Sequence, residues 1–351
     1  MPPRRVSEPW QRRPNALVVL SGLHATLPAS EVLGCVPSRI AARSDRLLLV
    51  ETPFPEQLRR LAYSTLVLDF LGAGTLDRLP FVAAEEVRGT YAIRVWGARP
   101  GQRQELYRLV WQELPEPRVA LRDPDTELHA FVLPDRVWWG SLRHRVSDAL
   151  FAARQTQRRP FFRSYGMQPR KSRCLVNLSG VQPGQRLLDP CCGTGSYLIE
   201  AALMGIEAHG SDADPRAVAG SRSNIDALGL DVKLRVLDAR RLDRWGVTFD
   251  AIVSDLPYGL SASLAGASTV ALYRDILQSA ALVLPRAGWP CVGPHPACCP
   301  PPPSSSSCSS VTWSECTNRS SARSAYSAAA DLRRPARQPA RELSGLGAAC
   351  L

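Results

Sequence analysis

Short apolar segments alternate with helical segments over residues 181–285, and this alternation restricts the fold more than any other feature of the sequence. The expected strands are Arg186–Asp189, Ile206–Ser211, Val232–Leu237 and Phe249–Ser254, and the expected helices are Ser196–Met204, Pro215–Leu228 and Val270–Leu284. Strands and helices in this order form βαβ units, whose strands lie parallel. The sequence therefore predicts an α/β fold with a doubly wound sheet, which binds ligands at the carboxyl ends of its strands.

Residues 15–145 combine strands and helices less regularly and predict an α+β region. The expected strands are Ala16–Leu20, Arg46–Glu51, Thr65–Phe70, Thr90–Trp96 and Glu127–Leu133, and the expected helix is Gln104–Leu114. We interpret this region as two small modules, residues 15–75 and 76–145, that join near Gly72–Asp77.

Two basic segments flank this region. Residues 1–14 are expected to form a mobile arm, and residues 146–180 a connector with a basic turn between two helices. The basic side chains of the connector include Arg158, Arg159, Arg170 and Lys171. We consider two interpretations of these side chains, a solvated face and a set of phosphate contacts.

Residues 286–351 lose this pattern and become rich in proline, serine, cysteine and arginine. Such a low-complexity segment buries too little apolar surface to offset its loss of chain entropy, so we expect disorder there. The abrupt change suggests the hypothesis that the reading frame shifts near Arg286–Pro290. If the tail is instead genuine, the fourth strand, Phe249–Ser254, lacks the neighbour that a complete sheet would place after Gly288.

The composition excludes several classes of protein. A hydrophobic share of 45% and a charged share of 21% are typical of folded proteins. Apolar runs such as Ala16–Leu20 are far shorter than the roughly 20 residues of a membrane helix, so we expect no membrane association and a cytoplasmic location. Six of the ten cysteines follow Pro290, and no pair of cysteines or histidines has metal-ligand spacing, so we expect no disulfide framework and no metal site. The net charge of +11 favours a polyanionic partner.

A glycine-rich loop, residues 189–195 (DPCCGTG), connects a buried strand to a helix. Its glycines let the backbone approach a ligand closely. Asp212 and Asp238 end the next two strands, where they can accept the hydroxyl groups of a ribose and the amino group of an adenine. Leu198 stands where a nicotinamide site has its third glycine, which argues against a dinucleotide. The candidate residues of this adenosine site are Asp189, Cys192, Gly193, Thr194, Gly195, Asp212, Asp238 and Ala239.

The segment at the end of the fourth strand, residues 254–259 (SDLPYG), decides which chemistry accompanies this adenosine site. Asp255 and the carbonyl oxygen of Leu256 can accept hydrogen bonds from an exocyclic amine. Pro257 stiffens the turn, and Tyr258 can stack on the ring of a base. We take these four residues as catalytic candidates. They resemble the fourth motif of the S-adenosylmethionine-dependent amino-methyltransferases, D/N-P-P-Y/F, with leucine in place of the first proline.

Other segments extend this resemblance to the tRNA (guanine-10 N2)-methyltransferases, most closely in their archaeal form. Residues 119–125 (VALRDPD) and 136–140 (RVWWG) resemble the end of a THUMP module, which binds RNA. Residues 161–179 resemble the connector of these enzymes, and residues 255–276 resemble their catalytic part. The likeness covers residues 15–285.

The resemblance implies a Rossmann-like class I methyltransferase domain at residues 181–285, preceded by a THUMP-containing RNA-binding region. It implies S-adenosyl-L-methionine as the cofactor and tRNA as the partner. Asp255 and the Leu256 carbonyl would stabilise the amine while the methyl group is transferred, and Tyr258 would hold a base that has left its stack. A monomer is expected, and the need for a small activating subunit, as in eukaryotic relatives, stays open.

Several of these residues also have simpler interpretations. The alternatives are a helix cap for Asp189, satisfaction of backbone groups for Thr194, ordinary strand-end turns for Asp212 and Asp238, surface packing for Tyr258, and loop packing rather than a nucleophile for Cys191 and Cys192.

Three functions from different classes remain open. The first is methylation of the exocyclic N2 amine of a guanosine in tRNA, at position ten. The second is amino-methylation of ribosomal RNA or of adenine in DNA, which methyl incorporation into separate nucleic-acid pools would distinguish from the first. The third is a catalytically inactive tRNA-binding remnant, suggested by the unusual tail, which would show no heat of binding with the cofactor.

Overall fold

A computed structural model describes residues 14–164, 166–256 and 269–284, together with the backbone of Cys291–Val292. In this part of the chain a seven-stranded sheet is followed by a five-stranded sheet. Pro257, Tyr258 and nearly all of the low-complexity tail lie outside the described residues.

The first sheet has the strand order β2-β3-β1-β4-β7-β6-β5, and β5 and β6 are its parallel pair. Its strands are β1 Ala16–Leu20, β2 Arg39–Ser44, β3 Leu47–Glu51, β4 Ser64–Gly74, β5 Tyr91–Trp96, β6 Thr126–Val132 and β7 Val137–Arg145. Its helices are α1 Leu27–Cys35, α2 Ala83–Glu86 and α3 Pro100–Glu113. Strand β4 pairs with β1 on one side and with β7 on the other. The two expected modules therefore share one sheet, and their division near Gly72–Asp77 stays a prediction.

Separate hydrophobic clusters support the two halves of this sheet. Val32 and Cys35 of α1 pack with Val18 and Leu48 in the first half. In the second half, Leu106 and Val110 of α3 pack with the β5 and β6 side chains Tyr91, Leu128 and Ala130. Each half of the sheet thus packs against its own hydrophobic cluster, although the two halves form one continuous sheet.

Four of the strands and α-helices described in this region were not predicted, namely β2, β7, α1 and the single-turn helix α2. Strand β2 alternates exposed and half-buried residues and has no fully buried side chain, so its sequence carries little hydrophobic signal. Strand β7 begins with the apolar run of Val137–Gly140, and helix α1 has a weak amphipathic pattern. Strand β1, by contrast, has the predicted bounds.

The second sheet is parallel throughout and has the order β10-β9-β8-β11-β12. Its strands are β8 Arg186–Asp189, β9 Glu207–Asp212, β10 Lys233–Val236, β11 Ala251–Val253 and β12 Cys291–Val292. Its helices are α6 Ser196–Ala202, α7 Pro215–Asp226 and α8 Thr269–Val283, and the connector contributes α4 Asp148–Ala152 and α5 Pro169–Leu178. The predicted doubly wound α/β sheet is confirmed. The strand order reverses between β8 and β11, which is where such sheets bind ligands.

Strand β12 corrects one expectation. Ile252 of β11 pairs with Cys291, and Val253 pairs with Val292, in parallel register. The expectation that the fourth strand lacks a neighbour is therefore wrong. The outer backbone groups of a buried strand need hydrogen-bond partners, and two residues of the tail supply them. Apart from Cys291–Val292, the tail lies outside the described residues, so the shifted reading frame stays a hypothesis.

The connector helix α5 joins the two sheets through a buried carboxylate, Glu31 of α1. Oε1 of Glu31 accepts hydrogen bonds from the Ala62 backbone N–H at 2.8 Å and from Asn177 Nδ2 of α5 at 2.7 Å. Its Oε2 accepts one from the Tyr63 backbone N–H at 2.8 Å. Burial raises the pKa of Glu31, and its three hydrogen bonds oppose that shift. Both oxygens are satisfied, so Glu31 fixes α5 against the first region.

Candidate active site

The loop between β8 and α6 turns on two glycines in the left-handed region. Gly193 has φ +51° and Gly195 has φ +77°. A Cβ at Gly195 would lie 2.4 Å from Ser221 Oγ, whereas a Cβ at Gly193 would meet nothing within 4 Å. Glycine at 195 therefore allows close packing on α7, and glycine at 193 leaves open space beside the backbone.

Asp189, at the end of β8, is fully buried beneath this loop. Its Oδ1 accepts hydrogen bonds from Ser254 Oγ at 2.8 Å and from the Cys191 backbone N–H at 3.2 Å. Its Oδ2 has no partner among the described residues. Burial raises the pKa of Asp189 to about 8, and the nearby charges of Asp212 and Asp255 act in the same direction. Asp189 does not cap a helix, and its free oxygen can receive a cationic group.

Asp212, at the end of β9, is held in place by backbone N–H groups. Its Oδ2 accepts a hydrogen bond from Gly193 at 3.0 Å, and its Oδ1 accepts one from Asp214 at 3.0 Å. Each oxygen has a second lone pair, and the side chain is half-buried. The carboxylate is thus oriented beside the glycine loop and can still accept ribose hydroxyl groups.

Asp238 precedes a 3₁₀ segment, Ala239–Trp245, and caps its start by accepting a hydrogen bond from the Arg240 N–H at 2.8 Å. The Arg240 guanidinium also pairs with this carboxylate, with Nη2 at 2.6 Å from Oδ2. These hydrogen bonds lower the pKa of Asp238. The turn interpretation of Asp238 therefore has direct support, and an adenine would share its carboxylate with Arg240.

Ala239 and Leu256 meet under the edge of the site. Both are buried, and they pack with Tyr273 and Ile276 of α8. The Leu256 side chain thus anchors the segment after β11 to the helix that follows it. The neighbouring Asp255 is half-buried and lies close enough to Asp189 to raise its pKa. Pro257 and Tyr258 are not described, so the aromatic part of the clamp stays a prediction.

The two loop cysteines are poor candidates for a nucleophile. Burial raises the pKa of both Cys191 and Cys192, and the charge of Asp189 raises it further. Their thiols are therefore protonated at neutral pH, and a thiolate is the reactive form. The backbone N–H of Cys192 donates to Ser211 O at 2.9 Å, which ties the loop to β9. Loop packing is the interpretation that these observations favour.

The structure adds residues that the sequence analysis did not assign. Ser254 donates to the Asp189 carboxylate. Asn224 of α7 donates to the Thr194 carbonyl oxygen at 3.0 Å. Arg159, interpreted above as solvated or as a phosphate contact, is buried and donates to Ser196 Oγ at 2.8 Å, so the solvated interpretation is wrong. A serine at a strand end and an arginine in a basic turn carry no sequence signal for these contacts.

The described residues contain neither a metal-binding cluster nor a membrane-spanning helix. No group of three or more histidine, cysteine, aspartate or glutamate side chains among the described residues could hold a metal ion. Within the same residues, no helix has the length and apolar character needed to cross a membrane.

Comparison with known proteins identifies relatives of this chain. The family described as "RMKL-like, methyltransferase domain" matches residues 156–295. The tRNA (guanine(10)-N2)-dimethyltransferase of Methanothermobacter thermautotrophicus is 34% identical over 298 residues, which cover 80% of this chain and 88% of that protein. The protein of the same name from Pyrococcus abyssi is 36% identical over 170 residues, which cover 48% of this chain and 50% of that protein.

Among solved structures, TrmN from Thermus thermophilus aligns with 78% of this chain and 86% of that chain, at 22% identity and a TM-score of 0.40. A likeness at this level does not bear on function. The sequence relatives do, because the first of them extends over most of both chains. This chain is an S-adenosylmethionine-dependent methyltransferase and belongs to the family of the tRNA (guanine(10)-N2)-dimethyltransferases.

Proposed function

We propose that this protein transfers a methyl group from S-adenosylmethionine to the exocyclic N2 amine of a guanosine in tRNA, at position ten. The observation that carries the proposal is the position of Asp255, at the end of β11, within electrostatic reach of the buried Asp189 at the end of β8. The Asp255 carboxylate, which would accept a hydrogen bond from the target amine, thus lies at the same edge of the sheet as the glycine-rich loop. This edge is where the strand order reverses, between β8 and β11. The names of the relatives supply the tRNA and the guanine N2 position.

The residues at this edge fit the cofactor. Asp212 is oriented for ribose hydroxyl groups. None of the described residues fills the space beside the Gly193 backbone or bonds to Oδ2 of Asp189, which suits a cationic group. Asp238 and Ala239 would border the adenine. The cofactor, when bound, supplies an electrophilic methyl group on a positively charged sulfur.

Asp255 would act on the target amine. The lone pair of a guanine amine is delocalised into the ring, so the nitrogen must be held in line and its growing positive charge stabilised. A carboxylate that accepts a hydrogen bond from the amine does both. The Leu256 carbonyl and the Tyr258 ring would complete the clamp, as expected from the sequence.

The first region would hold the RNA. Trp96 of β5 is 47% exposed and lies parallel to Phe131 of β6, with ring centroids 6.2 Å apart. Arg94 and Arg145 flank these rings and share the Glu127 carboxylate, at 3.5 Å and 2.7 Å. An exposed tryptophan ring, supported from behind by the buried Phe131 and set beside guanidinium groups, suits the bases and phosphates of RNA. We propose a monomer that works on cytoplasmic tRNA, with the need for an activating subunit left open.

Mass spectrometry of tRNA nucleosides tests the proposal. Unmodified tRNA is incubated with S-adenosylmethionine and wild-type protein, Asp255→Ala or Asp231→Ala, the last being an exposed aspartate just before the amino end of β10 and therefore not at the carboxyl ends of the strands. We expect N2-methylguanosine with wild type and Asp231→Ala, and at least a roughly hundredfold lower rate with Asp255→Ala, as for the loss of one oriented catalytic acceptor.

The same experiment includes ribosomal RNA and DNA as substrates. Methyl transfer confined to either of them would contradict the tRNA proposal. If no nucleic acid is methylated although calorimetry shows that tRNA binds, the protein is an inactive tRNA-binding remnant.

A further inference from the structure

The connector passes directly over the cofactor loop. The Phe161 backbone N–H donates to Asn224 Oδ1 at 2.8 Å, and Asn224 Nδ2 donates back to Phe161 O at 2.9 Å. The Phe161 ring fills the space over Gly220 of α7, where a Cβ would lie 2.2 Å from the ring. Farther along, a Cβ at Gly166 would lie 3.2 Å from Thr194 Oγ1. Connector residues therefore form part of the wall around the loop.

Arg159 is the connector side chain that reaches this loop with an unused donor. The residue is only 9% exposed. Its Nη1 donates to Ser196 Oγ at 2.8 Å, and its Nε donates to the Arg154 carbonyl oxygen at 3.2 Å. Its Nη2 is buried and has no hydrogen-bond partner among the described residues. A buried guanidinium nitrogen without a partner is unfavourable and calls for an acceptor.

The charges around Arg159 do not balance. Glu200 of α6, which is fully buried, pairs with two other arginines, Arg154 through Oε1 at 2.9 Å and Arg173 through Oε2 at 2.8 Å. No carboxylate among the described residues forms an ion pair with Arg159. Three guanidinium groups thus surround one carboxylate, and burial lowers the pKa of Arg159. The cluster carries excess positive charge and favours an anion from outside the chain.

A buried acidic side chain, the counterpart of Arg159, lies at the other end of the glycine-rich loop. Asp189 is fully buried, and among the described residues its Oδ2 has no hydrogen-bond partner, just as Nη2 of Arg159 has none. A ligand with an ammonium group and a carboxylate on one carbon would satisfy both. The amino-acid end of S-adenosylmethionine has this arrangement. A phosphate of tRNA would satisfy Arg159 alone, and the burial of Arg159 favours a small ligand over a bulky polymer.

We propose that Arg159 binds the α-carboxylate of the cofactor, through Nη2, while Asp189 receives its α-ammonium group. The connector is then part of the cofactor site. This inference rests on the dependence on S-adenosylmethionine and not on the nucleic-acid target.

Calorimetry without RNA tests it with two ligands. One is S-adenosylhomocysteine, and the other is its decarboxylated analogue, which keeps the amine and lacks the carboxylate. Wild type should prefer the first by about 10-fold to 100-fold, as expected for a charge-assisted hydrogen bond. Arg159→Gln should lose this preference and still bind the analogue as well as wild type does. Arg159→Lys should keep part of it, and Arg158→Gln, which changes the exposed neighbour, should keep all of it.

Two results would overturn the proposal. One is an Arg159→Gln protein that keeps the full preference for the carboxylated ligand. If such a protein also binds tRNA more weakly than wild type does, Arg159 contacts a phosphate of the tRNA. The other, which needs no variant to fold, is a wild-type crystal structure with S-adenosylhomocysteine in which Nη2 is farther than about 3.5 Å from the carboxylate. A wild type that binds neither ligand would contradict the cofactor assignment as well. The calorimetric results do not depend on whether the methylated nucleic acid is tRNA, ribosomal RNA or DNA.

Discussion

Glu31 in the first region and Asp189 in the second are both fully buried carboxylates, but their surroundings differ. Glu31 uses both oxygens to accept three hydrogen bonds across the junction with α5. Asp189 accepts hydrogen bonds through one oxygen, and the part of the chain that the structure describes offers no partner to the other, beneath the glycine loop. A buried carboxylate with all its donors in place holds the structure together, whereas one with a free oxygen is prepared for a ligand.

Replacing each acid by its amide tests this comparison most strongly. Glu31→Gln leaves one backbone N–H facing an amide N–H₂, so the free energy of unfolding should fall by about 3 kcal/mol. Asp189→Asn should not lower it, because Oδ1 can remain an acceptor and the amide cannot ionise, whereas wild-type Asp189 becomes harder to keep protonated in the fold as pH rises. Urea unfolding of both variants measures the difference. Equal losses of unfolding free energy in the two variants would show that the two carboxylates contribute equally to stability, against this comparison.

The same variants separate binding from stability. Asp189→Asn should weaken the binding of S-adenosylhomocysteine, since an amide attracts an ammonium group less than a carboxylate does. Glu31→Gln, if folded at the temperature of the measurement, should bind this ligand as wild type does.

The pH dependence of stability gives a second, smaller effect. The pKa of Asp189 is about 8 in the folded protein and near its ordinary value of 3.8 in the unfolded chain. Between these values the folded protein holds a proton that the unfolded chain has lost, so stability falls as pH rises through this range. The contribution is about 1.4 kcal/mol per pH unit while the difference is complete.

Urea unfolding at pH 5 and pH 7 measures this slope. The stability of wild type should fall more between the two values than that of Asp189→Asn, which has no proton to lose at this position. Parallel slopes for the two proteins would mean that Asp189 is already ionised in the fold.

The smallest expected effect concerns the surface of the first region. Trp96→Ala should weaken tRNA binding by about 1 kcal/mol, the lower end of the range for one stacked base, and leave cofactor binding unchanged. Trp111→Ala is the matched control, because Trp111 is an equally exposed tryptophan on α3, which packs on the opposite face of the sheet. Fluorescence anisotropy with labelled tRNA measures both. A loss of affinity in Trp111→Ala alone would place the RNA on the helical face.

The acidic residues of the candidate site could be predicted because they end strands. Asp189 and Asp212 are the last residues of β8 and β9, Asp238 comes two residues after β10, and parallel strands bring their carboxyl ends to one edge of the sheet. The partners of these residues could not be predicted in the same way. Ser254 reads as an ordinary strand end, and the bond that it donates to Asp189 depends on how β8 and β11 are registered.

The burial of individual side chains was harder to predict than the positions of the acidic residues at the strand ends. Arg159 stands beside Arg158 in a basic turn, and nothing in the local sequence separates the buried arginine from the exposed one. The difference arises from contacts with α6, which is far away in the chain until the fold is complete. Strand β12 was missed for a similar reason, because two residues carry no periodicity and gain their strand conformation from pairing with β11.

The contact between Phe161 and Gly220 has a consequence for how this sequence can vary. Glycine inside a helix is less favourable than alanine by about 1 kcal/mol, so α7 would be more stable by itself with a larger residue at 220. Such a residue would collide with the Phe161 ring and push the connector away from the loop. Positions 161 and 220 are therefore expected to change together among related sequences, with a β-carbon at 220 accompanied by a smaller side chain at 161.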